Sequence, residues 1–168
     1  MPLVASIQAA IEALHTNALD LGTAQFDLKK TARVELQNGT GNGQADVLFT
    51  DTRTLAASAN EDLDLAGVLV NAFGAIATFA RVKAILIQAA SGNTNNIVVG
   101  AAASNAWAGF FGAGTHTLTV RPGGFFCISA TDATGYAVTA GTGDLLRVAN
   151  SGGGTPVTYT IVIIGASA

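Results

Sequence analysis

Two histidines and a single cysteine are the obvious candidates for metal binding or nucleophilic catalysis in this 168-residue chain. His15 and His116 lie about a hundred residues apart, and neither has a partner at the short spacing of zinc sites. His116 alternates with Leu118 and Val120, which favours a structural position on a strand. The sequence has no G-x-S-x-G segment or comparable nucleophile signature. We therefore expect a protein that is not an enzyme, with no catalytic residues, no metal and no cofactor.

The cysteine, Cys127, lies in an apolar segment that also contains Phe125, Phe126 and Ile128. A single cysteine excludes an internal disulfide. No neighbouring basic residue in the sequence would lower the pKa of its thiol. We predict that Cys127 is buried and packs as a small hydrophobic residue.

Asp62 and Asp64 are the carboxylates whose spacing most resembles that of a reactive or cation-binding site. Residues two apart on a strand point to the same face, so the pair could share a calcium ion. A calcium site could combine the glycine-rich segment 39–46 either with Asp51 or with the acidic segment that runs from Glu61 to Asp64. The same two carboxylates would be the candidates in a hydrolase, which needs a pair in a cleft. Because Asp-x-Asp before an apolar strand is more often a solvated or capping edge, we favour that interpretation.

The glycine-rich segment 39–46 resembles a phosphate-binding loop only superficially. Phosphate loops need a helix N-terminus after the glycines, and an alternating strand pattern follows here. Asn38-Gly39 is instead a hairpin signal. We predict a turn that leads into a return strand from about Ala45 to Ala56.

Alternating and apolar segments separated by glycine-rich turns occupy most of the chain. The clearest alternation runs from Phe26 to Gln37, which predicts a half-buried strand. Further strands are predicted at 63–70, 79–89, 96–102, 116–121, 125–130, 136–139, 145–150 and 157–164. This pattern predicts a mainly β fold, an antiparallel β-sandwich or jelly roll, as a single domain over residues 25–168.

Residues 1–24 precede this domain and have a different pattern. Leu3, Ile7, Ile11 and Leu14 recur at helical spacing, which predicts a short N-terminal helix or an arm. Such a short helix is marginal alone in water. We expect the segment to be ordered by packing on the sandwich or on a neighbouring chain, and these four residues are candidate interface positions.

A second candidate interface surrounds the only tryptophan. Trp107, Phe110 and Phe111 lie close together among small residues. They could pack a loop against the sandwich, or they could form an aromatic contact patch, since aromatic residues are enriched among interface anchors. The sequence leaves both interpretations open.

Charge is distributed very unevenly along the chain. Charged residues make up 11% of the sequence, and the last 85 residues hold only Arg121, Asp132, Asp144 and Arg147. An ordinary globular protein has about 25% charged residues. Uncharged short side chains lose less entropy when another protein covers them, so this composition favours a surface that packs against protein.

The same composition excludes other partners. The net charge is -3 and the basic residues do not cluster, which argues against nucleic-acid binding. The apolar stretch 65–80 has 16 residues, fewer than the ~20 of a membrane span, so we predict core strands and a turn and no membrane partner. The N-terminus lacks the basic start of a secretory signal, and we expect synthesis in the cytoplasm.

Segments 79–89 and 157–164 are apolar on both faces. An antiparallel sandwich usually keeps one face polar, so a second layer, an arm or another subunit, should cover these strands. We expect a homo-oligomer, a trimer rather than a dimer.

The charge-poor jelly-roll pattern over roughly residues 25–168 resembles the head decoration, or cement, proteins of tailed bacteriophages. The resemblance is carried by residues 81–87, 121–126, 143–152 and 157–165. It implies a structural virion protein on the outer capsid surface that bridges neighbouring major-capsid subunits and stabilises the shell. The alternative is a tail or fibre module that recognises host surface glycans through exposed aromatic side chains.

Overall fold

The protein, seen in a computed structural model that describes residues 2–168, consists of β-strands joined by turns and loops. Its twelve strands are β1 (Ala5–Leu19), β2 (Gly22–Asn38), β3 (Gln44–Ala45), β4 (Val47–Leu55), β5 (Asn60–Asp64), β6 (Arg81–Ala89), β7 (Ile97–Gly100), β8 (Thr117–Val120), β9 (Phe125–Ser129), β10 (Tyr136–Ala137), β11 (Leu145–Asn150) and β12 (Val157–Ala166). The predicted mainly β fold is confirmed. The predicted N-terminal helix is wrong, because that segment forms strand β1.

Two antiparallel sheets form the body of the molecule. In the first sheet, β12 lies between β4 and β6, and both β9 and β10 pair with the other edge of β6. The second sheet has the order β5-β11-β7-β8. The neighbours are mostly distant in sequence, as in a sandwich whose strands cross between layers.

The core lies between these two sheets and is built by alternation. On β12, Tyr159, Ile161 and Ile163 are buried, whereas the residues between them are only half-buried. Buried side chains of the second sheet face them, including Leu63, Ile97, Val99, Leu146 and Val148. Apolar residues at every second position therefore fix which face of each sheet points inward.

The first two strands form a long antiparallel hairpin, which we call the arm. The pairing runs without interruption from Ala5 opposite Leu36 to Leu19 opposite Gly22. Ile7 and Ile11 are four residues apart, and that spacing places two residues on the same side of either a helix or a strand. The helical interpretation therefore fitted the apolar positions even though the segment is extended.

The arm differs from the sequence prediction in the burial of its second strand and in the residue at which it ends. The strand predicted from Phe26 is present, but β2 is exposed along most of its length and only Leu36 near its end is buried. Residue 25, the predicted start of the sandwich domain, lies inside β2. The structural division therefore comes after Asn38, where the arm joins the body.

The predicted hairpin between the strand at 26–37 and the one at 45–56 is wrong. After the turn at 39–43, β3 runs parallel to the end of β2, and β4 pairs with β12 instead. Lys83, which is fully buried, fixes this junction because its ammonium group donates to the carbonyl oxygen of Asp132 and lies 3.5 Å from that of Gly41. A local turn signal could not reveal this pairing with the last strand of the chain.

Candidate interaction surfaces

The arm is amphipathic, with one apolar face and one polar face. The pairing register sorts alternate residues to opposite sides. The apolar face carries Ala5, Ile7, Ala9, Ile11, Ala13, His15, Asn17 and Leu19 from β1, and Ala24, Phe26, Leu28, Lys30, Ala32, Val34 and Leu36 from β2. Lys30 and His15 are the two residues on it that can carry a positive charge. This face is thus a stripe of mostly aliphatic side chains.

The polar face of the arm is suited to water. Arg33 forms an ion pair with Glu35 at 2.6 Å, and Lys29 lies 3.4 Å from Asp27. All four side chains are more than half exposed, so these pairs add little stability. Their effect is to make this side of the arm the one that remains hydrated when the other is covered.

The apolar face is exposed over most of its length within this single chain. Ile11 is 66% exposed and Phe26 is 63% exposed, whereas Leu36 at the base is buried. A two-stranded hairpin is at best marginally stable in water unless a hydrophobic face packs against something. The arm therefore has the properties of an element that is stabilised by a partner.

The outer face of the first sheet is the second candidate surface. Its outward positions are Leu48, Thr50, Thr52 and Thr54 on β4, Thr158, Thr160, Val162 and Ile164 on β12, Ala84, Leu86 and Gln88 on β6, and Phe125, Cys127 and Ser129 on β9. None of these fourteen residues is charged. We call this surface the uncharged face.

The uncharged face has an aliphatic end and a threonine-rich end. At the threonine-rich end, Thr52 and Thr160 are joined across the strands by a hydroxyl–hydroxyl hydrogen bond of 3.0 Å, and Thr54 and Thr158 by one of 2.9 Å. These bonds satisfy hydroxyl groups within the sheet and hold the side chains in place. Such a surface can be covered with little cost in charge desolvation or side-chain entropy.

A groove of about 220 Å³ separates the base of the arm from the aliphatic end of the uncharged face. Ser6, Ile7 and Gln8 line it on one side, and its floor includes Leu86 and Val162. Cys127 also lines it and is half-buried, so the expected full burial of this side chain is wrong. Partial burial raises the pKa of the Cys127 thiol, which keeps it protonated at neutral pH.

An apolar loop borders the same face on the β4 side. Asn71 shapes the loop because its side-chain oxygen accepts hydrogen bonds from the backbone N–H groups of Phe73, at 2.9 Å, and Ala75, at 3.1 Å. Gly74 has a φ of 81°, which a residue with a Cβ rarely adopts. This turn presents Phe73 with 74% of its side chain exposed.

The flanks of this loop add to its apolar surface. Val68, Val70 and Ile76 are also exposed, while Leu69 and Ala77 next to them are buried in the core. The prediction of core strands and a turn for residues 65–80 thus describes only the inward half of the segment, whose strand-like pairing is a single bridge between Val70 and Ile76. We call residues 68–76 the Phe73 loop.

Trp107 belongs to the core of its own chain. It is 2% exposed, and its indole N–H donates to the carbonyl oxygen of Ala137 at 2.8 Å. Phe110 packs edge-on against it with 5.5 Å between ring centroids, and Phe111 packs at a tilt against Phe110 with 4.3 Å between centroids. The core-packing interpretation of this loop therefore holds for Trp107. The alternative, that Trp107 is an exposed contact residue, does not hold, because its own chain buries it. Phe110 and Phe111 are half-buried.

The candidate carboxylates are each bound to a different partner. Asp62 accepts two hydrogen bonds of 2.8 Å from Arg147, and Asp64 accepts one of 2.9 Å from the backbone N–H of Ala66. Glu61 accepts a hydrogen bond of 2.8 Å from Tyr159 and pairs with Arg53. Within residues 2–168, no group of three or more His, Cys, Asp or Glu side chains could hold a metal ion. These contacts give the carboxylates structural roles.

The predicted interface residues are therefore separated by the fold. Ile7 and Ile11 lie on the apolar face of the arm, Leu14 lies on its polar face, and Leu3 lines a groove of about 250 Å³ beside the Phe73 loop. Sequence reasoning missed the partner strand, with Phe26 and Leu28, and it missed Phe73. The apolar alternation of β2 was visible, but only the structure shows that this side faces away from the core.

Comparison of the chain with family models, curated proteins and solved structures finds no match. Among residues 2–168, no helix is long and apolar enough to cross a membrane.

Proposed function

We propose that this protein is a structural, non-catalytic component of a virion, which decorates and stabilises a bacteriophage capsid by bridging neighbouring major-capsid subunits on its outer surface. The observation that carries the proposal is the amphipathic arm, which exposes a mostly aliphatic face over most of the length of the hairpin. A soluble protein rarely exposes so much contiguous apolar surface unless a partner covers it.

The remaining surface supports protein contacts over small-molecule chemistry. The uncharged face and the Phe73 loop are built from aliphatic, aromatic and threonine side chains, and they adjoin each other at Leu48. Desolvation of such groups is inexpensive, and many shallow contacts repeated over a shell add up through avidity. We therefore assign association between copies to the uncharged face and the arm, and attachment to the shell to the Phe73 loop.

The Phe73 loop fits the shell contact because it is pre-shaped. Two hydrogen bonds to Asn71 hold the turn before any partner arrives. Less ordering entropy is then lost on binding, and an exposed aromatic ring on a fixed turn is a typical interface anchor. The glycan-binding alternative relied on exposed aromatic side chains, and burial removes Trp107 from that set.

The test is attachment of purified protein to capsids assembled without it. We expect the protein to cosediment with these capsids and to raise their resistance to heat. Phe73→Ser should weaken attachment, whereas Leu14→Ser, which changes another exposed apolar residue on the polar face of the arm, should not. Absence of attachment by the unmodified protein, with heat resistance unchanged, would overturn the proposal.

A further inference from the structure

We propose that the apolar face of each arm lies on the uncharged face of a second copy of this chain, so that copies associate by exchanging arms. This inference specifies the homo-oligomer contact of the proposed function. It makes a claim about the purified protein in the absence of any shell, so the two proposals fail separately.

Continuity with a contact already present in the chain is the first argument. The base of the arm borders the aliphatic end of its own uncharged face, where Ile7 lines the same groove as Ile164. Beyond Gln8 the apolar stripe continues along the arm, but its side chains are exposed. The base of the arm packs at the edge of its own uncharged face. An arm from a second copy would continue this packing across the open part of that face.

Size is the second argument. From Gln8 to Leu19 the arm is ~40 Å long at ~3.3 Å per residue, and its face is roughly 10 Å wide. The uncharged face extends ~24 Å along β4 and ~19 Å across four strands. Each copy gives one arm and receives one, so it buries roughly 500 Å² from the overlap alone. If the arm tip is also covered, the area buried on each copy approaches ~800 Å². Each partner of a standard protein–protein interface buries about this much accessible surface.

The charge of Lys30 is the third argument, because it favours the uncharged face over a second arm as the surface that covers the arm. If arms instead bundled with their apolar faces inward around a symmetry axis, the Lys30 side chains of all copies would meet at one level. Like charges in a water-poor contact are strongly unfavourable. The uncharged face carries no cation, and a single lysine can extend its ammonium group past the edge of a sheet into water. The face of a second copy is therefore a better cover for the arm than another arm.

Cysteine cross-linking tests the contact because Cys127 is the only cysteine and lies on the uncharged face. Ala9, Ala13 and Ala32 on the apolar face of the arm are each changed to cysteine, and Ala10→Cys on the polar face serves as the matched control. Under mild oxidation we expect at least one apolar-face variant to form a disulfide-linked oligomer that disappears when Cys127→Ser is added. The Ala10→Cys control should remain uncross-linked.

Two results would overturn arm exchange. The first is cross-linking that persists in the Cys127→Ser background, because it means that arms contact each other. The second is a protein that stays monomeric by light scattering at every concentration and gives no cross-link. Alkylation of Cys127 in the unmodified protein provides an independent measurement: its rate should fall as concentration increases and arms cover the face, and a concentration-independent rate counts against the proposal.

Discussion

Replacing one side chain on the apolar face of the arm should weaken association between copies without affecting the fold. Ile11 is 66% exposed in the single chain, so most of its hydrophobic stabilisation is available only when a partner covers it. Full burial of an isoleucine side chain contributes about 1.5–3 kcal/mol. Two-thirds of that value is about 1–2 kcal/mol per arm, which corresponds to a roughly 5–30-fold weaker association constant for each arm contact that carries Ile11→Ser.

The chain provides a matched control for this substitution. Leu14 is 64% exposed but lies on the polar face, opposite Asp27. Leu14→Ser should change the association constant by less than about twofold, because the polar face of the arm stays in water. Both variants should keep the stability of the sandwich within about 0.5 kcal/mol, since surface substitutions rarely do more.

Sedimentation velocity over a concentration series measures the association constant. Urea unfolding, monitored by tryptophan fluorescence, measures the stability of the sandwich. Adding Phe26→Ser to Ile11→Ser should bring the loss to roughly 30–1,000-fold for each arm contact if the two contributions of about 1–2 kcal/mol add. Equal effects of Ile11→Ser and Leu14→Ser would refute the assignment of the two faces. Loss of the cooperative unfolding transition in Ile11→Ser would show that the arm belongs to the core.

The remaining predictions concern the sandwich and the loop. Trp107→Ala should lower the free energy of unfolding by about 3–5 kcal/mol, measured by urea titration, because it empties a core position; a loss below 1 kcal/mol would contradict its packing. Burial and the hydrogen bond to Glu61 raise the pKa of Tyr159 above its ordinary value of 10. Its contribution to stability is therefore complete below pH 10 and is lost as pH rises further, by up to about 1.4 kcal/mol per pH unit; Tyr159→Phe should flatten this alkaline slope, and an unchanged slope would contradict the assignment. Gly165→Ala should cost about 1–3 kcal/mol in unfolding experiments, because a Cβ there would overlap the carbonyl oxygen of Arg81, and an unchanged midpoint would refute this close approach. Phe73→Ser should leave sedimentation unchanged while weakening capsid attachment, and a change in oligomeric state would instead place this loop between copies.

Local pattern was sufficient for the fold class and for most strand positions. The alternation around Ile161 and the predicted segment 145–150 correspond closely to β12 and β11, because a two-residue period and glycine-rich turns are properties of neighbouring residues. The scarcity of charge in the last 85 residues likewise needs no coordinates to recognise, and it leads to the prediction that another protein covers part of the surface.

Tertiary structure decided everything that depends on residues distant in sequence. Because β4 pairs with β12 and not with β2, residues 5–38 form a 34-residue hairpin, which local signals had assigned to a helix and a half-buried strand. Ile7 and Ile11 fit either secondary structure because a spacing of four preserves the side in both, and only the partner strand distinguishes them.

The same limit applies to burial. Trp107 and Phe73 are both aromatic residues in loops between small neighbours, yet one is 2% exposed and the other is 74% exposed. The sequence determined that this chain has apolar surface beyond the needs of one core. Which side chains remained outside was decided by the packing of the two sheets, because each position between them has room for only one set of side chains.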